Sequence, residues 1–346
     1  MTDRALSEQL DQAIDGIMAG AEQTKSADAT LSALIEIAGT LRDLPDDGFK
    51  TRLGRELAVA SRESEFQRRT PMTASTPVER IGLSGPEFTA IHTVTPFICV
   101  SEGAKLIDFM KHTFGAQETT RHSHGPDGFV AGVKIGDSEL LVMGGESLRG
   151  GELHAALHVY VKDCDATYQR ALDAGALTIG SPGVGEPADR PYGERAAFVS
   201  DPFGNYWFIA TRRGPNYVGV GLRHVTPSLL PTTAAPLIDF LKHAFGATVE
   251  GLHEQAGRMV HAFVRIGQAM VEMAEAEQED LRPFGFYMHT DDVDTVYHRA
   301  LAAGAISVLP PADQPFGDRL AIFHDPAGNR WFAAKRIASG SEVAEP

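Results

Sequence analysis

The sequence predicts an α+β fold made of four copies of one βαβββ module, paired into two tandem units behind an N-terminal helical segment. Three observations predict it: a duplicated turn, a long duplicated segment around that turn, and one order of strand and helix periods in both halves. "SDPFGNYWFIAT" at 200–211 returns as "HDPAGNRWFAAK" at 324–335. Asp201, Pro202 and Gly204, and again Asp325, Pro326 and Gly328, are the residues of a tight hairpin turn before a Trp-Phe strand. Around these turns "VTPFICVSEGAKLIDFMKHTFGA" (94–116) matches "VTPSLLPTTAAPLIDFLKHAFGA" (225–247) at an offset of 131. "VKDCDATYQRALDAGA" (161–176) matches "TDDVDTVYHRALAAGA" (290–305) at an offset of 129. "PADRPYGER" (187–195) matches "PADQPFGDR" (311–319) at an offset of 124, because the loop before it is five residues shorter in the second copy.

The first unit opens with a strand near 94–100. An amphipathic helix follows at 103–114, with Leu106, Phe109, Met110 and Phe114 on one stripe and Gly115 ending it. Strands near 117–123, 128–135 and 139–144 come next, the last two joined at Gly136-Asp137. The second half of the unit repeats this order. It has a strand near 155–161, a helix near 164–174 stopped by Gly175, and short strands near 177, 194–200 and 205–211. Each unit is therefore expected to be two βαβββ modules forming one cupped mixed sheet, and the two units are expected to pack as an internal pseudo-dimer.

Ahead of the repeats, Leu6, Leu10 and Ile14, and again Leu31, Leu34, Ile35 and Leu41, recur at helical spacing. The expected organisation is a helical extension at 1–65, a Pro, Ser and Thr-rich linker at 66–90, units at 91–213 and 222–337, and a disordered tail at 338–346.

Composition narrows the function. The 346 residues carry a net charge of -15, a field that repels phosphate backbones and anionic lipid, so neither nucleic acid nor a membrane surface is expected as a partner. Residues 1–20 lack a charged segment followed by an apolar one, and the chain reads as cytoplasmic. The two cysteines, Cys99 and Cys164, have neither metal-ligand spacing nor disulfide density.

"LIDFMKHTFGA", "VKIGDSELLVMGG", "HVYVKDCDATYQRALDAGA" and "DPFGNYWFIAT", with their partners in the second unit, resemble the vicinal oxygen chelate superfamily of glyoxalase I, extradiol dioxygenases and bleomycin-resistance proteins, and most of all its PhnB-like branch. The resemblance implies a tandem glyoxalase-like architecture, with metal ligands on the first and last strand of each module. Ungapped alignment places those positions on Thr95, Leu141, Ala156 and Phe208 in unit 1, and on Thr226, Glu272, Gly285 and Phe332 in unit 2. One carboxylate of four survives in unit 2 and none in unit 1, so neither glyoxalase I nor dioxygenase chemistry is expected.

Strand alternation then assembles a candidate site in unit 2. A turn at Gly267-Gln268 sets Phe263 opposite Glu272, with His261 as its diagonal neighbour. The same alternation places His224 on the face of Thr226, and Tyr287 and His289 on the face of Gly285, with Phe332 on the last strand. The counterpart in unit 1 comprises His158, Tyr160 and Phe208. Glu272 and His261 are the acid-base candidates; the others are candidate ligand contacts, each also readable as an ordinary core or solvated residue. Glu194/Arg195 and Asp318/Arg319 read as structural ion pairs. The expectation is a cup that binds a small organic molecule without a cofactor, as a sequestering or resistance-type binder, with a divalent metal at Glu272 and His261 as the alternative. A lyase or isomerase using that pair, and an interaction protein acting through residues 1–65 as a homo-oligomer or with a docked partner, are the competing function classes.

Overall fold

The computed structural model describes residues 93–337, apart from 125–126, 146–147, 149–150, 181–182, 214–220, 256, 277–283 and 315. The helices expected in 1–65, the linker at 66–90 and the tail at 338–346 lie outside the described residues.

Module one contains β1 (Val94–Cys99), α1 (Gly103–Phe114), β2 (Gln117–His124), β3 (Gly128–Ile135) and β4 (Ser138–Gly144). Module two contains β5 (Ala156–Tyr160), α2 (Cys164–Asp173), the short strands β6 (Leu177–Thr178) and β7 (Ala188–Arg190), then β8 (Glu194–Ser200) and β9 (Tyr206–Arg212). Module three contains β10 (Val225–Leu229), α3 (Ala234–Phe245), β11 (Thr248–Gln255), β12 (Arg258–Ile266) and β13 (Ala269–Met273). Module four contains β14 (Gly285–His289), α4 (Val293–Ala302), β15 (Ile306–Asp313), β16 (Asp318–His324) and β17 (Arg330–Arg336). The α+β class and the tandem units follow the sequence reading.

The duplicated turn works as a clamp. Asp201 Oδ1 accepts from the backbone N–H groups of Phe203 and Asn205, and Oδ2 accepts from Asn205 Nδ2 and Trp207 Nε1, each at 2.9 Å. Asn205 Oδ1 in turn accepts from Ala155 N, tying the turn to the strand that enters β5. The fixed Trp207 is fully buried and packs on Phe114 of α1 at 4.7 Å between ring centroids. Asp325, Asn329 and Trp331 repeat this arrangement, with Trp331 against Phe245 of α3 at 4.5 Å. The turn recurs because each unit needs a buried donor held rigidly beneath its first helix.

Sheet pairing departs from the expectation that one unit forms one cup. One sheet runs β15-β16-β17-β14-β1-β4-β3-β2 and the other β11-β12-β13-β10-β5-β9-β8-β6, so modules one and four share a sheet, as do two and three. The joints are antiparallel: Thr95 faces Tyr287 across β1 and β14, and Thr226 faces His158 across β10 and β5. Within a unit the modules are held by their helices, where Arg170 of α2 donates to Thr113 O and Arg299 of α4 donates to His243 O. Each unit is thus a back-to-back helix pair that lends one half to each cup.

The two cups differ inside. In the cup of modules one and four, Phe97, Leu141, Leu153, Tyr287, Ile322 and Phe332 form an apolar cluster, with Phe97 and Phe332 at 5.0 Å edge to face. The cup of modules two and three has only a small cluster, including Tyr160, Ala196, Ala210 and Met270. Here the five extra residues of unit 1 matter. They divide into β6, a loop and β7 the stretch that unit 2 forms as the continuous β15.

Candidate functional site

The open cup gathers polar residues from both units. His158, on β5, stands beside Phe208 on β9 and opposite Thr226 on β10. Glu272, on β13, faces Phe263 on β12, as the hairpin register predicts. The two strands bring His158 Nδ1 to 2.8 Å from Glu272 Oε2. On the other side of the ring, Nε2 lies 3.4 Å from Glu194 Oε2, and the Tyr160 hydroxyl donates to Glu194 Oε1 at 3.0 Å. His158 and Tyr160 stack at 4.5 Å. His261 Nε2 is 3.8 Å from Glu272 Oε2, with its ring edge-on to Phe263.

Mutual charge, working against burial, sets the ionisation of this cluster. Glu272 is 2% and Glu194 6% exposed. Burial opposes charge on His158, but the Glu272 carboxylate and hydrogen bonds to Glu194 and Glu272 outweigh it and hold the imidazole up at about 10. Burial likewise favours a neutral Glu272, yet the His158 imidazolium, and then His261, keep it down at about 2. Burial and the charges of Glu272 and Glu194 raise the Tyr160 phenol, so it stays a donor. The floor is an imidazolium between two carboxylates. Glu272 Oε1 is buried with no hydrogen-bond partner among the described residues, and Glu194 Oε2 and His158 Nε2 have only each other, at 3.4 Å.

A cleft of about 780 Å³ lies between modules two and three, and it meets the cluster through Phe208, the register neighbour of His158. Phe198, Tyr206 and Phe208 form one wall, and Leu230, Met259 and Val260 the other, with Ile179, Gly180 and Val184 of the longer unit 1 loop at its edge. Phe198 and Phe208 meet edge to face at 5.5 Å, and the Arg190 guanidinium lies over Phe198.

The model of the Glyoxalase/Bleomycin resistance protein/Dioxygenase superfamily matches residues 90–209 and 221–332. The chain belongs to this superfamily. An uncharacterised protein of Mycobacterium tuberculosis strain H37Rv is 30% identical over 154 residues, 37% of this chain and 87% of the relative. An uncharacterised Mycobacterium bovis protein is 32% identical over 128 residues, 34% of this chain and 80% of the relative. Glyoxalase I from Zea mays superposes with a TM-score of 0.56 over 70% of this chain and 92% of its own, at 14% identity, a likeness of fold.

For a member of this superfamily the donor set is unusual. Across the sheet joints His158 faces Thr226 and Tyr287 faces Thr95, each two residues along the strand from the aligned positions Ala156 and Gly285. Cross-unit pairing groups the aligned positions Thr226, Ala156, Glu272 and Phe208 in the open cup, with His158 on the same face as Ala156. A phenyl ring donates nothing, a threonine hydroxyl is a weak neutral donor, and His158 Nδ1 is already engaged with Glu272. No group of three or more His, Cys, Asp or Glu arranged to hold a metal occurs among the described residues. These residues do not fit a four-ligand glyoxalase-type centre.

The three-histidine convergence expected in unit 2 does not form. His224 lies outside the cup, with Nδ1 3.0 Å from Asp137 Oδ1 at the β3–β4 turn. Tyr287 and Phe332 belong to the filled cup, where the Tyr287 hydroxyl donates to Asp318 Oδ2 at 3.3 Å. His289, on the same strand as Tyr287, is exposed. Cross-unit pairing separates Tyr287, His289 and Phe332 from Glu272 and brings His158, Tyr160 and Phe208 into its sheet instead, while His224, just ahead of β10 in that same sheet, is drawn to Asp137. Glu194 was the residue missed. The Glu194/Arg195 reading treats the two as a pair, but neighbours on a strand face opposite ways. Arg195 binds Asp165 and Asp189 on the outside, while Glu194 turns into the cup.

Proposed function

We propose that the protein binds a small organic molecule in the cup of modules two and three, without a resident metal, as a sequestering or resistance-type binder. The ligand lays an apolar or aromatic body between Phe198, Phe208 and Met259 and directs a hydrogen-bond donor at the floor. The observation that carries this is the clamped cluster. Glu272 has its proton affinity suppressed by His158, and His158 is held protonated by two carboxylates, so neither is poised to accept a proton near neutral pH. Such a floor recognises donors and orients a guest, and the buried, unpartnered Glu272 Oε1 calls for a donor that the described residues do not supply.

A thermal-shift screen of small arenes with and without N–H or O–H donors tests the reading. A donor-bearing arene at 100 times its Kd raises stability by about 2.7 kcal/mol, and Glu272→Gln weakens that ligand. Unchanged affinity in Glu272→Gln, or one tightly held Zn, Ni, Mn or Fe per chain by elemental analysis, overturns it.

A second reading rests on His261. At 39% side-chain exposure beside buried Glu272, it is the solvent-accessible histidine of the cluster, the arrangement a lyase or isomerase would use for proton transfer. Turnover of a cleft ligand that is abolished in His261→Ala, with binding retained, favours that reading over sequestration.

A further inference from the structure

Internal duplication lets the chain serve as its own comparison. The turn between β7 and β8, "RPYGE" at 190–194, has a counterpart in "QPFGD" at 314–318. At the glycine and the closing hydrogen bonds the backbones agree. Gly193 and Gly317 have φ of 87 and 88, values that an L side chain rarely adopts. Gly193 N donates to Arg190 O at 3.0 Å and Gly317 N to Gln314 O at 2.9 Å. Arg213 N and Ile337 N close the two turns identically on Gly193 O and Gly317 O. The next residue, Glu194 or Asp318, points into its cup and accepts from a tyrosine hydroxyl in each.

Only the aromatic residue of the turn differs in placement. Phe316 packs onto the apolar cluster that fills its cup. Tyr192 stands 63% exposed beside the cup that has the cleft, yet its partly buried phenol still feels the charges of Glu194 and Glu272, which, after burial itself, raise its pKa. The glycine that follows the ring does not account for this, since Gly193 and Gly317 match in φ and in hydrogen bonds. What differs is the neighbourhood: a packed apolar interior at Phe316, and at Tyr192 the residue two positions on, Glu194, which belongs to the charged cluster. An exposed ring gains by burial only where it has something to cover.

We propose that Tyr192 is a ligand-contacting residue that turns inward over the cup of modules two and three when a guest occupies it, taking the place that Phe316 already holds over the filled cup. This rests on the binding reading given above. Arg190 anchors the leading leg of the turn by donating to Val184 O and Ala196 O, so the movement belongs to the Tyr192 side chain and not to the hairpin. Closure makes Tyr192 a size filter, because a guest too tall for the cup leaves the ring outside.

The test uses Tyr192→Trp. The chain's two tryptophans, Trp207 and Trp331, are fully buried, so acrylamide quenching of the variant reports on position 192. Benzamide and 2-phenylethylamine, arenes with N–H donors, are titrated to saturation while binding is followed by NMR. Probe binding is expected to shield the introduced indole from acrylamide. Tyr192→Ala is expected to weaken the probe about tenfold, and Tyr192→Phe to keep it within about twofold, because the ring and not the hydroxyl makes the contact. Probes that bind while the introduced indole stays fully quenchable and Tyr192→Ala is unchanged overturn closure and leave the binding reading intact. Probes that do not bind the unmodified protein overturn both. Shielding that tracks protein concentration without probe assigns Tyr192 to contact with a second copy and also overturns closure.

Discussion

His158 Nδ1 lies 2.8 Å from Glu272 Oε2, although the residues are 114 positions apart and belong to different tandem units. Removing one partner of a buried charged pair leaves the other uncompensated, at a cost of about 3–5 kcal/mol. His158→Gln is therefore expected to destabilise the fold by about 3 kcal/mol at pH 6 in urea titrations. His158→Gln/Glu272→Gln should recover part of that loss, and a double mutant no better than the single would refute the coupling.

The same pair sets a pH dependence whose sign follows from its two shifts. His158 is raised from 6.5 to about 10, so its contribution is complete below pH 6.5 and fades as the pH rises towards 10. Glu272 is lowered from 4.5 to about 2, so its contribution is complete above pH 4.5 and fades as the pH falls towards 2. The stability difference between the protein and His158→Gln should peak between pH 4.5 and 6.5 and decline above that by at most about 1.4 kcal/mol per pH unit. A difference that is flat from pH 6 to 10 would show that His158 is not held as an imidazolium.

Because each sheet takes one module from each unit, the connection between units is not what holds the cups together. A protease site inserted within 214–220 and cleaved in the folded protein should leave both fragments co-eluting at the mass of the intact chain. Separation on size exclusion without denaturant would contradict the pairing of β1 with β14 and of β5 with β10.

The equivalent turn aromatics should respond differently to truncation. Phe316→Ala removes a ring packed on the apolar cluster and is expected to cost about 2 kcal/mol, whereas Tyr192→Ala should change stability by less than about 0.5 kcal/mol. Equal losses in thermal or chemical unfolding would mean that Tyr192 is a structural residue.

The clamp turns offer a packing test. Trp207→Phe keeps most of the apolar ring but leaves Asp201 Oδ2 with one donor fewer in a buried site. The expected cost is about 1–3 kcal/mol, with Trp331→Phe similar. A loss below about 0.5 kcal/mol in both would show that the aspartates serve the turn alone.

Much of this was legible in the chain. Helix spans, the duplicated turn, the Phe263–Glu272 register and the inward placement of Phe208 follow from periods of 3.6 and 2 and from glycine and proline positions, all of which act over a few residues. Membership of the glyoxalase superfamily was legible too, because the same motifs recur twice in order. Glu194 was concealed by its neighbour, since Glu194-Arg195 reads as an ion pair until alternation along β8 is applied to it.

Which modules share a sheet was not written in any local pattern. The first strands "VTPF" and "VTPS", and the halves they pair with, offer nearly identical edges, so in-unit and cross-unit pairing satisfy the same hydrogen bonds. Only the packing of whole modules decides between them. That choice sent Tyr287 and His289 away from Glu272 and brought His158 and Tyr160 to it. It also left one cup filled by its own side chains, and the other with a charged floor and room for a guest. The sequence by itself determined the modules, their order and their duplication, because those depend on local period and turn chemistry. The tertiary structure decided the site, because a cluster assembled across two units exists only once long-range packing has selected one of two equivalent pairings.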